Sequence, residues 1–339
     1  MEGFTHDGEF VLVAEDGAND LKNYPVKCVN GRIWVNNHAH ILQGKAGIAD
    51  NSFLAFAISQ SDIESLLVGG GRAKLNAETL MSIEFRLPCL QEQYRIGEYL
   101  TQLDHLITLH QRKFEKLTNV KKSMLEKMFP QNGSSYPKIR FKGFTDPWEQ
   151  RKLGELVDRV VRKNTNNEST LPLTISAQYG LVDQITYFNN RVASRDVSNY
   201  YLVLNGEFAY NKSTSDGYPF GAVKRLDLYE KGVLSTLYIV FAPKKEQQID
   251  SDYLTVFFDT DRWHKGVAER AAEGARNHGL LNISAEDFFD IDLSVPKDIV
   301  EQKQIGAFIR QLDNLITLHQ RELEKLQNIK KSMLEKMFV

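Results

Sequence analysis

The sequence of 339 residues contains little cysteine and no excess of either charge. Its two cysteines, Cys28 and Cys89, are too few and too badly spaced for a tetrahedral zinc site or a disulfide framework. The 42 lysines and arginines are balanced by 44 acidic residues, so the formal net charge is -2. A histone-like coat is therefore excluded, and any nucleic-acid binding has to come from local clusters of cations.

Long hydrophobic runs are also absent. No stretch approaches the roughly 18 to 20 apolar residues that cross a bilayer, and the first residues lack the basic and apolar regions of a signal peptide. With 42% hydrophobic and 25% charged residues the composition is that of a globular protein, and the length favours two or three domains. We therefore expect a cytoplasmic protein without membrane contact.

The motifs of common enzymes are missing or incomplete. The run Gly69–Lys74 lacks the Gly-Lys-Ser/Thr ending of a phosphate-binding loop, and Asp146-Pro147-Trp148 lacks the second proline of an adenine methyltransferase motif. The nuclease-like string Glu301-Gln302-Lys303 is repeated elsewhere without its lysine, and His38 and His40 have no third ligand nearby. The sequence thus predicts no catalytic residue, no metal site and no cofactor.

What the sequence does contain is a long internal repeat. Residues 92–129 and 301–338 are offset by 209 positions and are identical at 27 of 38 aligned positions. A period of this length is too long for a solenoid or a propeller blade. It indicates duplication of a globular domain together with an attached segment.

The repeated segment has the heptad spacing of a coiled coil. Apolar residues recur at alternating intervals of four and three, with His110 and His319 at equivalent positions in the two copies. We expect two coiled-coil helices about 57 Å long, each of which is the partner of the other. A polar residue in such a seam fixes the register, and a titrating or metal-binding role for the histidines is the alternative. The predicted pairing residues are Ile107, His110, Leu117, Ile316, His319 and Leu326.

The sequence before each helix repeats more faintly. Asp7-Gly8-Glu9-Phe10 matches Asn205-Gly206-Glu207-Phe208, and both copies end in a strand-like alternation, at Ile83–Pro88 and Ile291–Pro296. Runs rich in Val, Ile, Tyr and Phe predict further strands, and helices are expected near Ser251–Glu273. Each globular part is therefore predicted to be mixed α/β. Only six residues precede the first anchor, so we expect the first copy to lack its front end.

Three polar clusters remain as candidate DNA contacts. They are Arg159–Asn164, Tyr210–Ser215 and Arg270–His278, and each combines cations with side chains that can read base edges or hold phosphate. On a duplicated domain joined by helices of fixed length, they indicate a reader of a bipartite DNA target. The residues predicted to lie near DNA are Lys212, Ser213, Arg225, Arg276 and Asn277.

Several motifs resemble the specificity (S) subunit of type I restriction-modification systems. They are the sequence Pro137–Phe141 followed by Trp148–Leu156, the Glu-Gln helix start after a proline in both copies, and the Gln-Leu-Asp-x-Leu-Ile-Thr-Leu-His-Gln-Arg helices. The resemblance implies two recognition domains (α+β), the first incomplete, joined by two long antiparallel coiled-coil helices. It divides the chain into a first domain at 1–90, a helix at 91–130, a linker at 131–137, a second domain at 138–300 and a helix at 301–339.

The resemblance also implies the partners: double-stranded DNA, methyltransferase (M) subunits and restriction (R) subunits, with catalysis carried by M and R. For the short first copy, three origins stay open: an in-frame remnant, a recombination product and a misassigned start. Self-association through the helices is a related possibility. The alternative function is a regulatory coiled-coil protein that binds M subunits, or pairs with itself, without reading a full site. A stand-alone nuclease or methyltransferase is disfavoured by the missing motifs.

Overall fold

The computed structural model describes residues 3–16, 18, 20–21, 23–69, 73–131, 133–176, 179–271 and 279–338. The chain forms two compact units, Met1–Lys116 with Thr317–Val339, and Leu117–Ile316. Each unit contains one globular part and a stretch of each long helix. The predicted domains are continuous segments of the chain, with each long helix as one segment. The two compact units instead divide each long helix and group each stretch with the globular part of the same unit.

The globular part of the first unit is a small antiparallel sheet covered by a helix. Its central strand β1 contributes Val11 and Val13, both fully buried, to a core shared with Ala55 and Ile58. Asp50 caps the covering helix by accepting a hydrogen bond from the Phe53 amide at 2.8 Å. The elements are β1 (His6–Ala14), β2 (Val26–Ile33), β3 (Ala39–Leu42), α1 (Asn51–Ser59), a 3-10 helix (Glu64–Leu66) and α2 (Ala77–Met81), with sheet order β2-β1-β3. The long helix α3 (Leu90–Lys127) follows.

The second unit has a larger core rich in aromatic residues. Its main sheet has the order β10-β9-β12-β5, and three two-stranded sheets pair β11 with β8, β13 with β4, and β6 with β7. The strands are β4 (Glu149–Lys152), β5 (Val157–Arg159), β6 (Leu173–Ser176), β7 (Gly180–Asp183), β8 (Tyr201–Leu204), β9 (Phe208–Asn211), β10 (Ala222–Arg225), β11 (Lys231–Leu234), β12 (Ile239–Pro243) and β13 (Asp292–Val295). The helices are α4 (Leu153–Leu156), α5 (Gln184–Phe188), α6 (Ser251–Phe258), α7 (His264–Arg270), α8 (Ala285–Phe289) and α9 (Ile299–Met337).

The two sheets share one topology. In the first unit β1 pairs with β2 on one side and β3 on the other, and in the second unit β9 pairs in the same way with β10 and β12. All of these pairings are antiparallel. The faint sequence repeat before the helices is therefore a repeat of structure, to which the second unit adds β5 at the edge of its sheet.

One predicted strand is present in only one copy. Asp292–Val295 forms β13 by pairing with β4, whereas the equivalent residues 84–87 of the first unit form no strand. The prediction is thus confirmed for the second copy and wrong for the first. The reason is physical: a strand needs a neighbour to accept and donate its main-chain hydrogen bonds, and in the second copy β4 supplies that neighbour.

Both predicted long helices are confirmed, and they pair antiparallel. In the first unit Asp104 pairs with Lys330. Further along α3, His110 meets His319, which lies earlier in α9. In the second unit Lys121 of α3 pairs with Asp313 of α9 at 2.7 Å. Within the described residues, no helix is both long and apolar enough to cross a membrane.

Candidate nucleic-acid interface and helix pair

The second polar cluster, Tyr210–Ser215, contacts the residues that follow the third cluster in the chain. The Lys212 carbonyl accepts a hydrogen bond from the Leu281 amide at 3.0 Å, and the Thr214 amide donates to the Gly279 carbonyl at 2.6 Å. Ser213 is exposed between these two bonds. The polar loop that follows β9 is therefore fixed against the residues that follow the third cluster.

The individual DNA candidates in this region are only partly described. Lys212 is half-buried, and its ammonium group donates to the Ile283 carbonyl at 3.3 Å. A lysine ammonium has three protons to donate, so further contacts remain available to it. Arg276 and Asn277 lie outside the described residues. For all three residues, DNA contact stays a prediction.

Arg225 is held inside the second unit by acidic neighbours. Its side chain is 13% exposed and contacts Asp227 at 2.7 Å and Asp252 at 2.8 Å. A further bond to the Ser251 hydroxyl ties β10 to the start of α6. The charge of Arg225 is therefore already partnered within the chain, and its predicted contact with DNA has no direct support from this geometry.

Residues of the first polar cluster, Arg159–Asn164, also make contacts within the second unit. Arg162 donates to both carboxylate oxygens of Glu207, at 2.7 and 2.8 Å. Lys163 lies 4.2 Å from the ring centre of Tyr201, and the fully buried Asn164 exchanges hydrogen bonds with the main chain of Ser169. The cationic and amide side chains from which DNA contacts were predicted are thus largely bound to other residues of the second unit.

Sequence reasoning missed an exposed aromatic surface on the second unit. Tyr187 and Phe188 at the end of α5 are 49% and 51% exposed, with ring centres 5.0 Å apart, and Tyr179 is 58% exposed. Exposed aromatic side chains can stack on bases or wedge between them. The signal available in the sequence was the adjacent Tyr-Phe pair with Arg191 nearby.

The Glu-Gln start of α3 fastens that helix to the globular part of the first unit. The Gln93 side-chain amide donates to the carbonyls of Ile48 and Pro88, at 3.0 and 2.9 Å, and its oxygen accepts from the Asp50 amide at 3.0 Å. We call this set of three bonds the glutamine clasp. Gln93 is 1% exposed, so all three bonds are protected from water.

The same clasp recurs at the start of α9. Gln302 donates to the carbonyls of Gln248 and Pro296, at 3.0 and 2.9 Å, and accepts from the Asp250 amide at 2.8 Å. Asp250 also caps α6, as Asp50 caps α1. The glutamines of the two Glu-Gln strings therefore have a structural role: each attaches the start of a long helix to a globular part. Within the described part of the chain, no cluster of three or more metal-ligating side chains exists.

A glycine one helical turn after each clasp allows close approach of the backbone. A Cβ atom at Gly97 would lie 2.9 Å from the Phe53 amide nitrogen. At Gly306 it would lie 2.7 Å from the Asp252 Cβ and 3.0 Å from the Tyr253 amide nitrogen. The first turns of each long helix therefore pack directly against the start of a shorter helix.

A histidine pair lies in the helix seam of the first unit. The Nδ1 atoms of His110 and His319 are 3.1 Å apart, so one ring donates a proton to the other, which must be neutral. Burial, the charge of His110 and the charge of Lys113 lower the pKa of His319 below its ordinary value. The other predicted seam residues are half-buried; they are Ile107, Leu117, Ile316 and Leu326.

The histidine pair should make helix pairing sensitive to acid. The pKa of His319 is lower in the folded chain than its ordinary value of 6.5, so at acid pH the unfolded chain binds more protons than the folded chain. The contribution of neutral His319 to stability is therefore lost as pH falls below about 6.5. We expect a lower Tm at pH 5 than at pH 7.5, measured by circular dichroism. The double variant His110→Asn, His319→Asn should lose part of this dependence, and an unchanged pH profile would contradict the prediction.

A comparison with protein families gives two matches along the chain. The model of the Type I restriction modification DNA specificity domain matches residues 2–119 and again residues 145–328. Each match includes one globular part and part of the helix that follows it. The duplication detected within the sequence is therefore a duplication of one known kind of domain.

Individual proteins are similar to this chain over most of its length. A type I restriction enzyme specificity subunit of Haemophilus influenzae is 26% identical over 322 residues, covering 93% of this chain and 77% of that protein. The MjaVIII specificity subunit of Methanocaldococcus jannaschii is 24% identical over 308 residues, covering 86% of this chain and 70% of that protein. The solved S subunit from M. genitalium aligns with a TM-score of 0.62 at 14% identity, covering 100% of this chain and 85% of that one. This likeness shows a shared fold.

Proposed function

Since the chain belongs to the type I restriction modification DNA specificity family, we propose that it reads a bipartite DNA target as the non-catalytic subunit of a larger complex. The observation that carries the proposal is the separate match of the family model to both copies. Two recognition units on paired helices suit a target with two half-sites. The cytoplasm stays its predicted location.

We further propose that the second unit holds one half-site. The polar loop at 212–215, fixed against residues 279–281, offers main-chain and hydroxyl groups beside the ammonium group of Lys212. The exposed aromatic pair Tyr187 and Phe188 adds stacking surfaces on the same unit. The long helices are the proposed docking sites for methyltransferase and restriction subunits, because their outer faces keep exposed apolar residues such as Leu106 and Leu318.

Binding to duplex DNA tests the proposal. In complex with a type I methyltransferase subunit, the chain should bind duplex DNA with an affinity that falls steeply as salt rises, because phosphate contacts release counterions. Replacing Lys212 with glutamine removes one such contact and should reduce the salt slope by about one. Fluorescence anisotropy over a range of salt concentrations measures both quantities.

The matched control is Lys245→Gln, which removes an exposed lysine of the same unit. Equal salt slopes for the two variants would remove Lys212 from the interface. A complex that assembles but binds no duplex at any salt concentration would contradict DNA reading itself. That outcome would favour the regulatory coiled-coil function.

A further inference from the structure

The histidine pair in the helix seam has no part in the proposed DNA reading. His110 on α3 and His319 on α9 are 209 positions apart in the chain, and their Nδ1 atoms are 3.1 Å apart. The two ring centres are farther apart than these nitrogens, at 5.1 Å. Each ring therefore turns its Nδ1 atom toward the other ring, and the two nitrogens face one place between the helices.

The distance between the two nitrogens suits two ligands of one metal ion. Zinc binds imidazole nitrogen at about 2.0 to 2.1 Å. Two such nitrogens on one ion therefore lie about 2.9 Å apart at a right angle and about 3.3 Å apart at the tetrahedral angle. The observed 3.1 Å lies between these values. Small rotations of the two rings would let one ion replace the hydrogen bond that joins them.

The histidine pair is accessible and needs little change of protonation to bind an ion. Both rings are half-buried, so an ion and its water molecules can reach them. Ligation requires an imidazole nitrogen without a proton, and the Nδ1 atom that accepts the hydrogen bond already has none. In a neutral pair the donating ring only has to carry its proton on Nε2 instead. An ion can therefore bind to the neutral pair without removing a net proton from the chain.

One lysine and one glutamate lie within a helical turn of the pair. Lys113 follows His110 by three residues, and its charge acts on His319. Glu322 follows His319 by three residues and thus lies on the same face of α9. It is half-buried and has no ion pair or hydrogen bond with any described residue. Its carboxylate offsets the charge of the lysine and can accept a hydrogen bond from water bound to an ion.

We propose that His110 and His319 form a binding site for a divalent transition-metal ion such as Zn²⁺, with water in the remaining coordination positions. Imidazole is a preferred ligand of Zn²⁺, Ni²⁺ and Cu²⁺, whereas Mg²⁺ and Ca²⁺ prefer oxygen. Among the described residues no third ligand side chain joins the pair, so the ion exchanges with solvent. While it is bound, the ion joins α3 to α9 and stabilises their pairing.

Metal titration and thermal unfolding of the full chain at pH 7.5 test the proposal. Isothermal titration calorimetry gives the Kd of Zn²⁺, and Zn²⁺ at about 100 times this Kd should raise the Tm by about 5 °C. Mg²⁺ at the same concentration should leave the Tm unchanged. His110→Asn and His319→Asn should each weaken Zn²⁺ binding at least about tenfold, because each variant keeps only one imidazole. The control His105→Asn, at an exposed position of α3, should bind Zn²⁺ like wild type.

A cysteine in place of one histidine separates metal ligation from packing. His110→Cys keeps a zinc ligand, so it should retain the Zn²⁺ binding that His110→Asn loses. Circular dichroism checks that the helices form in each variant, and His319→Cys with His319→Asn repeats the comparison if a His110 variant does not fold. Loss of binding in the cysteine and asparagine variants alike would overturn the proposal. An unchanged Tm with Zn²⁺, equal stabilisation by Mg²⁺, or undiminished binding to the asparagine variants would overturn it as well.

Discussion

Replacing Glu301 with alanine should lower the free energy of unfolding of the second unit by about 3 to 5 kcal/mol, the usual cost of removing one partner of a buried ion pair. Glu301 is 1% exposed and the Arg140 side chain 15% exposed, so the guanidinium would lose its two charge-assisted bonds with little access to water. The Trp148 indole would lose its acceptor as well. Urea unfolding followed by tryptophan fluorescence measures the change.

The chain provides its own control for this experiment. Glu92→Ala makes the same substitution at the equivalent, exposed position, where the change should stay within about 0.5 kcal/mol. The comparison separates the ion pair from any effect of glutamate at the first turn of a long helix, because Glu92 and Glu301 both lie there. Similar losses for the two variants would contradict the prediction.

Replacing Asp259 with alanine should cost the second unit about 3 kcal/mol, because it leaves the largely buried ammonium group of Lys224 without its carboxylate partner. Asp259 contacts Lys224 at 2.8 Å and Lys121 at 3.2 Å. Burial opposes ionisation of Asp259, but Lys224 and Lys121 hold its pKa below its ordinary value. Its stabilising contribution is therefore present above about pH 4 and is lost as pH falls further.

The neighbouring Asp261→Ala is the matched control, since the Asp261 side chain is 74% exposed. Thermal unfolding of both variants at pH 7 and at pH 3 distinguishes the two positions. We expect the difference in Tm between them to shrink at the lower pH, where the Asp259 carboxylate becomes protonated in the wild-type chain. A difference that does not change with pH would assign the loss to packing instead of charge.

The long helices could be predicted almost to the residue because their signal is local. Heptad spacing relates residues three and four positions apart, and α3 and α9 begin within two residues of the predicted starts at 91 and 301. The helices predicted near Ser251–Glu273 are α6 and α7. The Thr260 hydroxyl and the Trp263 indole donate to the carbonyls of Phe257 and Phe258, which ends α6.

The ion pairs could not be predicted, because they join distant parts of the chain. Arg140 and Glu301 are 161 positions apart, and no periodicity relates them. The same limit applies to the DNA candidates: the charge of Arg225 predicts a contact with DNA, but in the structure Asp227 and Asp252 already pair with that charge. Charge in a sequence shows what a side chain can bind, and only the fold shows whether a neighbour in the same chain already binds it.

Both glutamine clasps hold main-chain atoms. Gln93 and Gln302 reach two carbonyl oxygens and one amide nitrogen each, and the first of these carbonyls belongs to isoleucine in one unit and to glutamine in the other. Main-chain groups are the same whatever side chain they carry. The surfaces proposed to bind DNA are therefore free to diverge, or to be exchanged for those of another domain, while the attachment to an unchanged helix is kept.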